Sequence, residues 1–244
     1  MLENKIIIVT GGDGLLGRQM VSDINEKGGV GICADINVET NLAKGTLFCD
    51  ITNLEGIKLA IENVVNHFGR IDGLVNNAYP RTKDWGVDFE QLTEESLNKN
   101  VNWQLNSYIL FCQQVIKQMK KGKGGAIVNI ASIYGVVGND FTIYEGTNLN
   151  PPAPYSAIKG GIINFTRFIA SKYGEANIRA NVVSPGGIFD HQPDKFVKAY
   201  EQRVPMRRMG NPDDIAPAIS FLLSNQSKYI TGQNIIVDGG WTAI

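Results

Sequence analysis

Short apolar runs alternate with longer stretches whose apolar residues recur at helical spacing, from one end of the chain to the other. Residues 5–10, 30–34, 46–49, 73–76, 126–130, 179–183 and 234–237 have the length and near-continuous apolar character of strands covered on both faces. Between them, residues 15–27, 54–67, 94–119, 156–172 and 213–223 carry amphipathic helix patterns, as in Ile158, Ile162, Phe165 and Ile169. Strand and helix in alternation predict an α/β fold, a single doubly wound parallel sheet of about seven strands with helices on both faces. No repeat, charge block or low-complexity linker interrupts the pattern, so residues 1–244 read as one domain. Two segments break the periodicity. Residues 139–154 are polar, and Pro151, Pro152 and Pro154 favour extended chain up to Tyr155. Residues 186–210 mix glycine, proline and charge. Loops at the carboxyl ends of parallel strands line the binding crevice, which makes both of them candidate substrate segments.

Composition excludes several classes. With 23 basic residues against 24 acidic ones, the net charge of −1 offers no surface for nucleic acid. The cysteines Cys33, Cys49 and Cys112 form no CxxC pair, and His67 and His191 are remote from each other, so no metal site is expected. The opening apolar run Ile6-Ile7-Ile8-Val9 is far too short for a membrane span, and the reading is a cytoplasmic protein without a membrane partner.

Candidate chemistry begins where the first strand runs into Thr10-Gly11-Gly12-Asp13-Gly14-Leu15-Leu16-Gly17 and then a helix. Glycines there let backbone amides approach a pyrophosphate at a helix N-terminus whose partial positive charge suits an anion, as in a Rossmann dinucleotide site. Asp35, eighteen residues after Gly17, ends the second strand and can accept hydrogen bonds from ribose hydroxyls or cap the following turn. Its charge opposes a 2′-phosphate and no Arg or Lys follows directly, so the expected cofactor is NAD. Asp50, after the third strand, can take the adenine amino group or cap the helix starting near Leu54.

Tyr155 and Lys159 lie four apart at the start of a long amphipathic pattern, which puts a phenol and an amine on one helical face. Tyr79 and Lys83 share that spacing, but Pro80 between them breaks the helix context. A tyrosine needs a nearby cation to work as a base near neutral pH, and Lys159 can supply it. Ser132 follows the strand ending at Ile130 and can either orient a substrate oxygen or cap its own turn.

Together with Asn76-Asn77-Ala78, Asn102, Pro185-Gly186 and Asp238-Gly239-Gly240 in order, these motifs resemble the short-chain dehydrogenase/reductase family over essentially the whole chain. The resemblance implies Tyr155 as general acid/base, Lys159 as nicotinamide-ribose binder, Ser132 as orienter of the substrate oxygen and Asn102 as holder of a relay water. It also implies cofactor contacts from Gly11, Asp13, Gly14, Leu15, Leu16, Gly17, Asp35, Asp50, Ile51, Asn77, Ala78, Tyr155, Lys159, Pro185, Gly186 and Ile188, and a homotetramer or homodimer built on the helices holding Asn102 and Tyr155.

Departures from the family pattern point at the substrate. Leu15 stands where compact members have glycine, and Ser132 and Tyr155 are 23 apart, about ten more than usual. Tyr79 replaces the glycine common after Asn-Asn-Ala, and Asp190 replaces a cofactor-contacting threonine. The inserted Asn139, Asp140, Thr142, Glu145, Thr147, Asn148 and Asn150 suit the hydroxyls of a sugar, and Arg81, Lys83, Lys195, Lys198, Arg203, Arg207 and Arg208 can meet a phosphate. The whole chain is similar to oxidoreductases of bacterial flagellin modification, in the route to legionaminic-acid-type sugars. The expected activity is NAD-dependent interconversion of a secondary hydroxyl and a ketone on a sugar phosphate or nucleotide sugar. A 3-oxoacyl reductase and a catalytically silent NAD-binding scaffold or sensor are the alternatives.

Overall fold

Ile6–Thr10 (β1) is apolar almost throughout because both its sides are covered, with Ile6 and Ile8 facing one helical layer and Ile7 and Val9 the other. The other strands are Val30–Asp35 (β2), Thr46–Phe48 (β3), Gly73–Asn76 (β4), Gly125–Ile130 (β5), Ile178–Pro185 (β6) and Asn234–Val237 (β7), of which the edge strands β3 and β7 are less fully covered. In the computed structural model, which describes all residues 1–244, these seven strands form one sheet in the order β3-β2-β1-β4-β5-β6-β7. Every pairing is parallel. Leu54–Phe68 (α2) and Ser107–Met119 (α4) press Ile57, Val64, Phe111 and Val115 onto one face. Leu15–Glu26 (α1) and Pro212–Leu223 (α7) press Met20, Ile24, Ile219 and Leu222 onto the other. This is the doubly wound architecture that the alternation predicts. The chain leaves β1 towards β2 and β3, then returns to place β4 on the other side of β1, and the strand ends at that reversal open a crevice.

Three local features differ from the sequence expectation. The single helix expected over residues 94–119 is Glu94–Val101 (α3), a five-residue π turn at Asn102–Asn106, and α4. A π turn inserts one residue into the helical repeat, which averaged periodicity does not register. Ala153–Tyr173 (α5) starts earlier than expected, with Pro152 as N-cap and Pro154 in its first turn, where the missing N–H costs nothing. The irregular segment before Gly210 contains Asp194–Arg203 (α6), a charged helix buried through only Phe196 and Tyr200, one turn apart. No helix is long and apolar enough to cross a membrane.

Candidate active site

A cavity of about 740 Å³ opens at the carboxyl ends of the strands and collects residues from the glycine turn, from the loops after the strands and from α5. Gly11, Gly14, Leu15 and Leu16 line it from the turn between β1 and α1. Gly14 is the N-cap of α1 and brings no side chain to the first-turn amides, and that turn carries no acidic residue, so its amides are left to an anion. Gly11 has a φ of +63°, and a Cβ there would lie 2.7 Å from the Ala78 Cα. Gly17 lies outside the cavity wall, where a Cβ would collide with the Gly11 carbonyl, so this glycine seats α1 against its own turn.

Asp35 lines the cavity at the end of β2, with its carboxylate fixed by the Asp13 amide at 3.1 Å and the Asn37 amide at 3.0 Å. Asp13 is absent from the wall and supports it through that amide, while its own carboxylate pairs with Arg18. Asp50 and Ile51 line the wall after β3. Asn53, not Asp50, caps α2, and Asp50 instead accepts from Thr52 and Asn53. Asn77 and Ala78 border the cavity after β4, and the Asn77 amide ties that loop to the Thr10 and Gly11 carbonyls. Pro185, Gly186 and Ile188 close the far side after β6.

Tyr155, Lys159 and Ser132 face the same cavity. The first turn of α5 carries Tyr155 and the next carries Lys159, so helical geometry alone aligns them. Ser132 follows β5, and its Oγ accepts from the Tyr134 amide at 3.2 Å, so it caps a turn while facing the cavity. Lys159 is 4% exposed, and its amine donates to the Ile130 carbonyl at 3.0 Å. It also sits 5.5 Å from the ring centres of Tyr79 and Tyr155 and 5.8 Å from that of Tyr108.

Burial without a neighbouring carboxylate pulls the Lys159 amine down to about 7. Burial likewise raises the Tyr155 phenol above its ordinary value, with a hydrogen bond from Ser132 opposing that rise and the charge of Tyr144 adding to it. Lys159, expected to lower the phenol, is not among the causes of this shift, and its amine is turned to a backbone carbonyl. The folded pKa of Lys159 is below its unfolded value, so the unfolded chain binds more protons between about pH 7 and 10.5 and stability rises with pH across that window. The stability of Lys159→Met relative to wild type is expected to fall by on the order of 4 kcal/mol between pH 7 and pH 10, because across that window the wild-type amine binds a proton in the unfolded chain and not in the folded one. Denaturant unfolding at the two pH values measures it, and a relative stability that does not change contradicts the assignment.

Asn102 lies outside this group. It is exposed in the π turn and receives a hydrogen bond from Asn106, so the relay role implied for it does not fit its position. The π turn instead buries Gln104, 1% exposed, one turn before Tyr108. Gln104 Nε2 donates to the carbonyl of cavity-lining Pro80 at 2.9 Å, while its Oε1 is a buried side-chain acceptor with no donor in the protein. The asparagine-rich sequence around it offered no signal for choosing this amide.

Aromatic residues build the remaining wall. Tyr79, Tyr134, Tyr144, Phe196 and Tyr200 all line it, and the rings of Tyr79 and Tyr155 meet edge to face at 5.6 Å. The polar insert contributes less than expected. Asp140 caps its own turn through Thr142 and pairs with Arg203 of α6 at 3.5 Å, Asn139 accepts from Ser156, and Asn150 donates to Gly86 and Asp88. Of the insert, Tyr144 alone reaches the cavity wall. Asp190 faces the cavity together with Gln192, whereas Arg207 and Arg208 turn to Gln202 and Asp214.

Residues 17–242 match a family model described as enoyl-(acyl carrier protein) reductase. The chain belongs to the short-chain dehydrogenase/reductase family. Among its similar members is the post-translational flagellin modification protein A of Campylobacter coli, 36% identical with 99% of both chains covered. A 3-oxoacyl-(acyl-carrier-protein) reductase of Chlamydia muridarum is 33% identical over 98% of both. A short-chain dehydrogenase from Leptospira borgpetersenii, solved with bound NAD⁺, superposes with a TM-score of 0.89 at 36% identity, covering 99% of this chain and 94% of that one. Short-chain dehydrogenase/reductase membership makes this chain an oxidoreductase.

Proposed function

We propose that the protein is an NAD(H)-dependent oxidoreductase that interconverts a secondary hydroxyl and a ketone on a sugar phosphate or nucleotide sugar, in bacterial surface-sugar (flagellin glycan) biosynthesis. The observation that carries the reading is that Tyr155, Lys159 and Ser132 share one cavity with Asp35 and the glycine turn. The glycine turn fits a pyrophosphate and Asp35 fits the adenosine ribose, while no cation on that part of the wall suits a 2′-phosphate. The bound nicotinamide supplies or takes the hydride at the reacting carbon.

The chain's own residues manage the oxygen. Ser132 hydrogen-bonds the carbonyl and holds it against Tyr155. The raised phenol is protonated at neutral pH, the form that donates to the oxygen as a ketone becomes an alcohol. Lys159, seated on the Ile130 carbonyl beside the Tyr155 ring, would hold the nicotinamide ribose. The flagellin-modification relative supports the sugar reading. The exposed Phe168 on α5 supports a homodimer or homotetramer joined through that helix. The aromatic wall gives the 3-oxoacyl reductase reading one observation in its favour, against which stands the charge of Asp35. Turnover of a panel of sugar phosphates and 3-oxoacyl thioesters, followed by cofactor absorbance, tests the assignment. Hydride transfer to or from a sugar derivative with NAD(H) is expected, and tight NAD⁺ binding without transfer to any member overturns it in favour of a silent scaffold.

A further inference from the structure

Five charged residues face the cavity, namely Asp35, Asp50, Arg81, Lys159 and Asp190. Asp35 and Asp50 are engaged by the turns they close, and Lys159 is buried on a carbonyl. Arg81 is the exposed cation on this wall. Its guanidinium is also unspent. Arg18, Arg70, Arg179, Arg203, Arg207 and Arg208 each hold a carboxylate or a backbone carbonyl. Arg81 and Arg167 hold neither, and Arg167 lies on the exposed side of α5 and not on the cavity wall. Arg81 is nevertheless placed, because its guanidinium carbon lies 5.7 Å from the centre of the Tyr79 ring, which in turn meets the Tyr155 ring at 5.6 Å.

We infer that Arg81 binds an oxyanion of the substrate, a phosphate or carboxylate carried a few bonds from the carbon that is oxidised or reduced. The inference rests on the proposed activity and deepens it. A planar guanidinium with free donors matches the paired oxygens of such a group, and an open-mouthed site lets it shed water on binding without stranding a buried charge. Tyr79 sets the span: its ring separates the anion held at Arg81 from the oxygen held at Tyr155. Glycine at this position, usual in the family that the chain resembles, would leave the arginine without that support.

The test is a set of matched pairs assayed with NAD⁺: galactose beside galactose 6-phosphate, and methyl galacturonate beside galacturonate. Wild type is expected to prefer the charged member of at least one pair by tenfold or more in kcat/KM, and the pair concerned tells phosphate from carboxylate. Arg81→Met, which keeps the stem and loses the charge, is expected to cut that preference about tenfold through KM, with Arg81→Lys recovering part of it. A preference within about twofold in wild type, or unchanged by Arg81→Met, overturns the inference while leaving the oxidoreductase assignment standing. Should no pair be turned over although NAD⁺ binds, the anion site is judged separately by titrating inorganic phosphate into the NAD⁺-saturated protein. Binding lost in Arg81→Met upholds it, and equal binding by both proteins overturns it.

Discussion

Tyr155→Phe is expected to lower kcat about 10³-fold while NAD⁺ affinity stays within about twofold. The change removes one oxygen from a side chain packed edge-on against Tyr79 and Trp85, contacts that phenylalanine keeps. What is lost is the proton carried on that oxygen. The Ser132 hydroxyl is held in a turn by the Tyr134 amide and the Lys159 amine donates to the Ile130 carbonyl, so neither is expected to replace the phenol. Steady-state rates together with a cofactor titration distinguish the outcomes. Turnover within tenfold of wild type would overturn the proton-transfer role, and lost NAD⁺ binding would show that the substitution had damaged the site instead.

Cofactor choice gives the second large effect. Wild type is expected to favour NAD⁺ over NADP⁺ by at least 10²-fold in kcat/KM, and Asp35→Ala to bring the two within about tenfold. The carboxylate is pinned by the amides of Asp13 and Asn37, so it cannot swing aside to admit a second anion. Arg18, the nearest arginine in sequence, is already paired with Asp13 and does not line the cavity. Kinetics with both cofactors for both proteins decide the matter. Wild type using NADP⁺ as well as NAD⁺ would refute the charge argument.

The sheet was legible because burial on two faces writes a simple pattern: Ile6 to Val9 must be apolar at every position, whichever layer each one meets. The glycine turn, Asp35, Ser132, Tyr155 and Lys159 were legible as motifs, since the backbone approach and the helical spacing they require are local. Helix α6 escaped because two buried aromatics among charges, Phe196 and Tyr200, make a weak periodic signal. The exchange of Asn102 for Gln104 at the buried position depends on one π turn, a backbone event that leaves no mark in composition. Spacing placed the amine of Lys159 beside the phenol, but its protonation depends on how much water surrounds it, which only the packed structure reveals. The polar insert misled for a related reason: Asp140 and Asn150 spend their hydrogen-bonding capacity on the chain itself.

The aromatic wall is assembled from pieces far apart in sequence: Tyr79 after β4, Tyr144 in the insert, and Phe196 and Tyr200 on α6. None of them is a strand residue. Substrate preference in this scaffold can therefore drift by mutation of surface segments while the strands that aim Asp35 and the helix that aims Tyr155 stay unchanged. Enzymes built this way can part ways in diet and still keep the same engine.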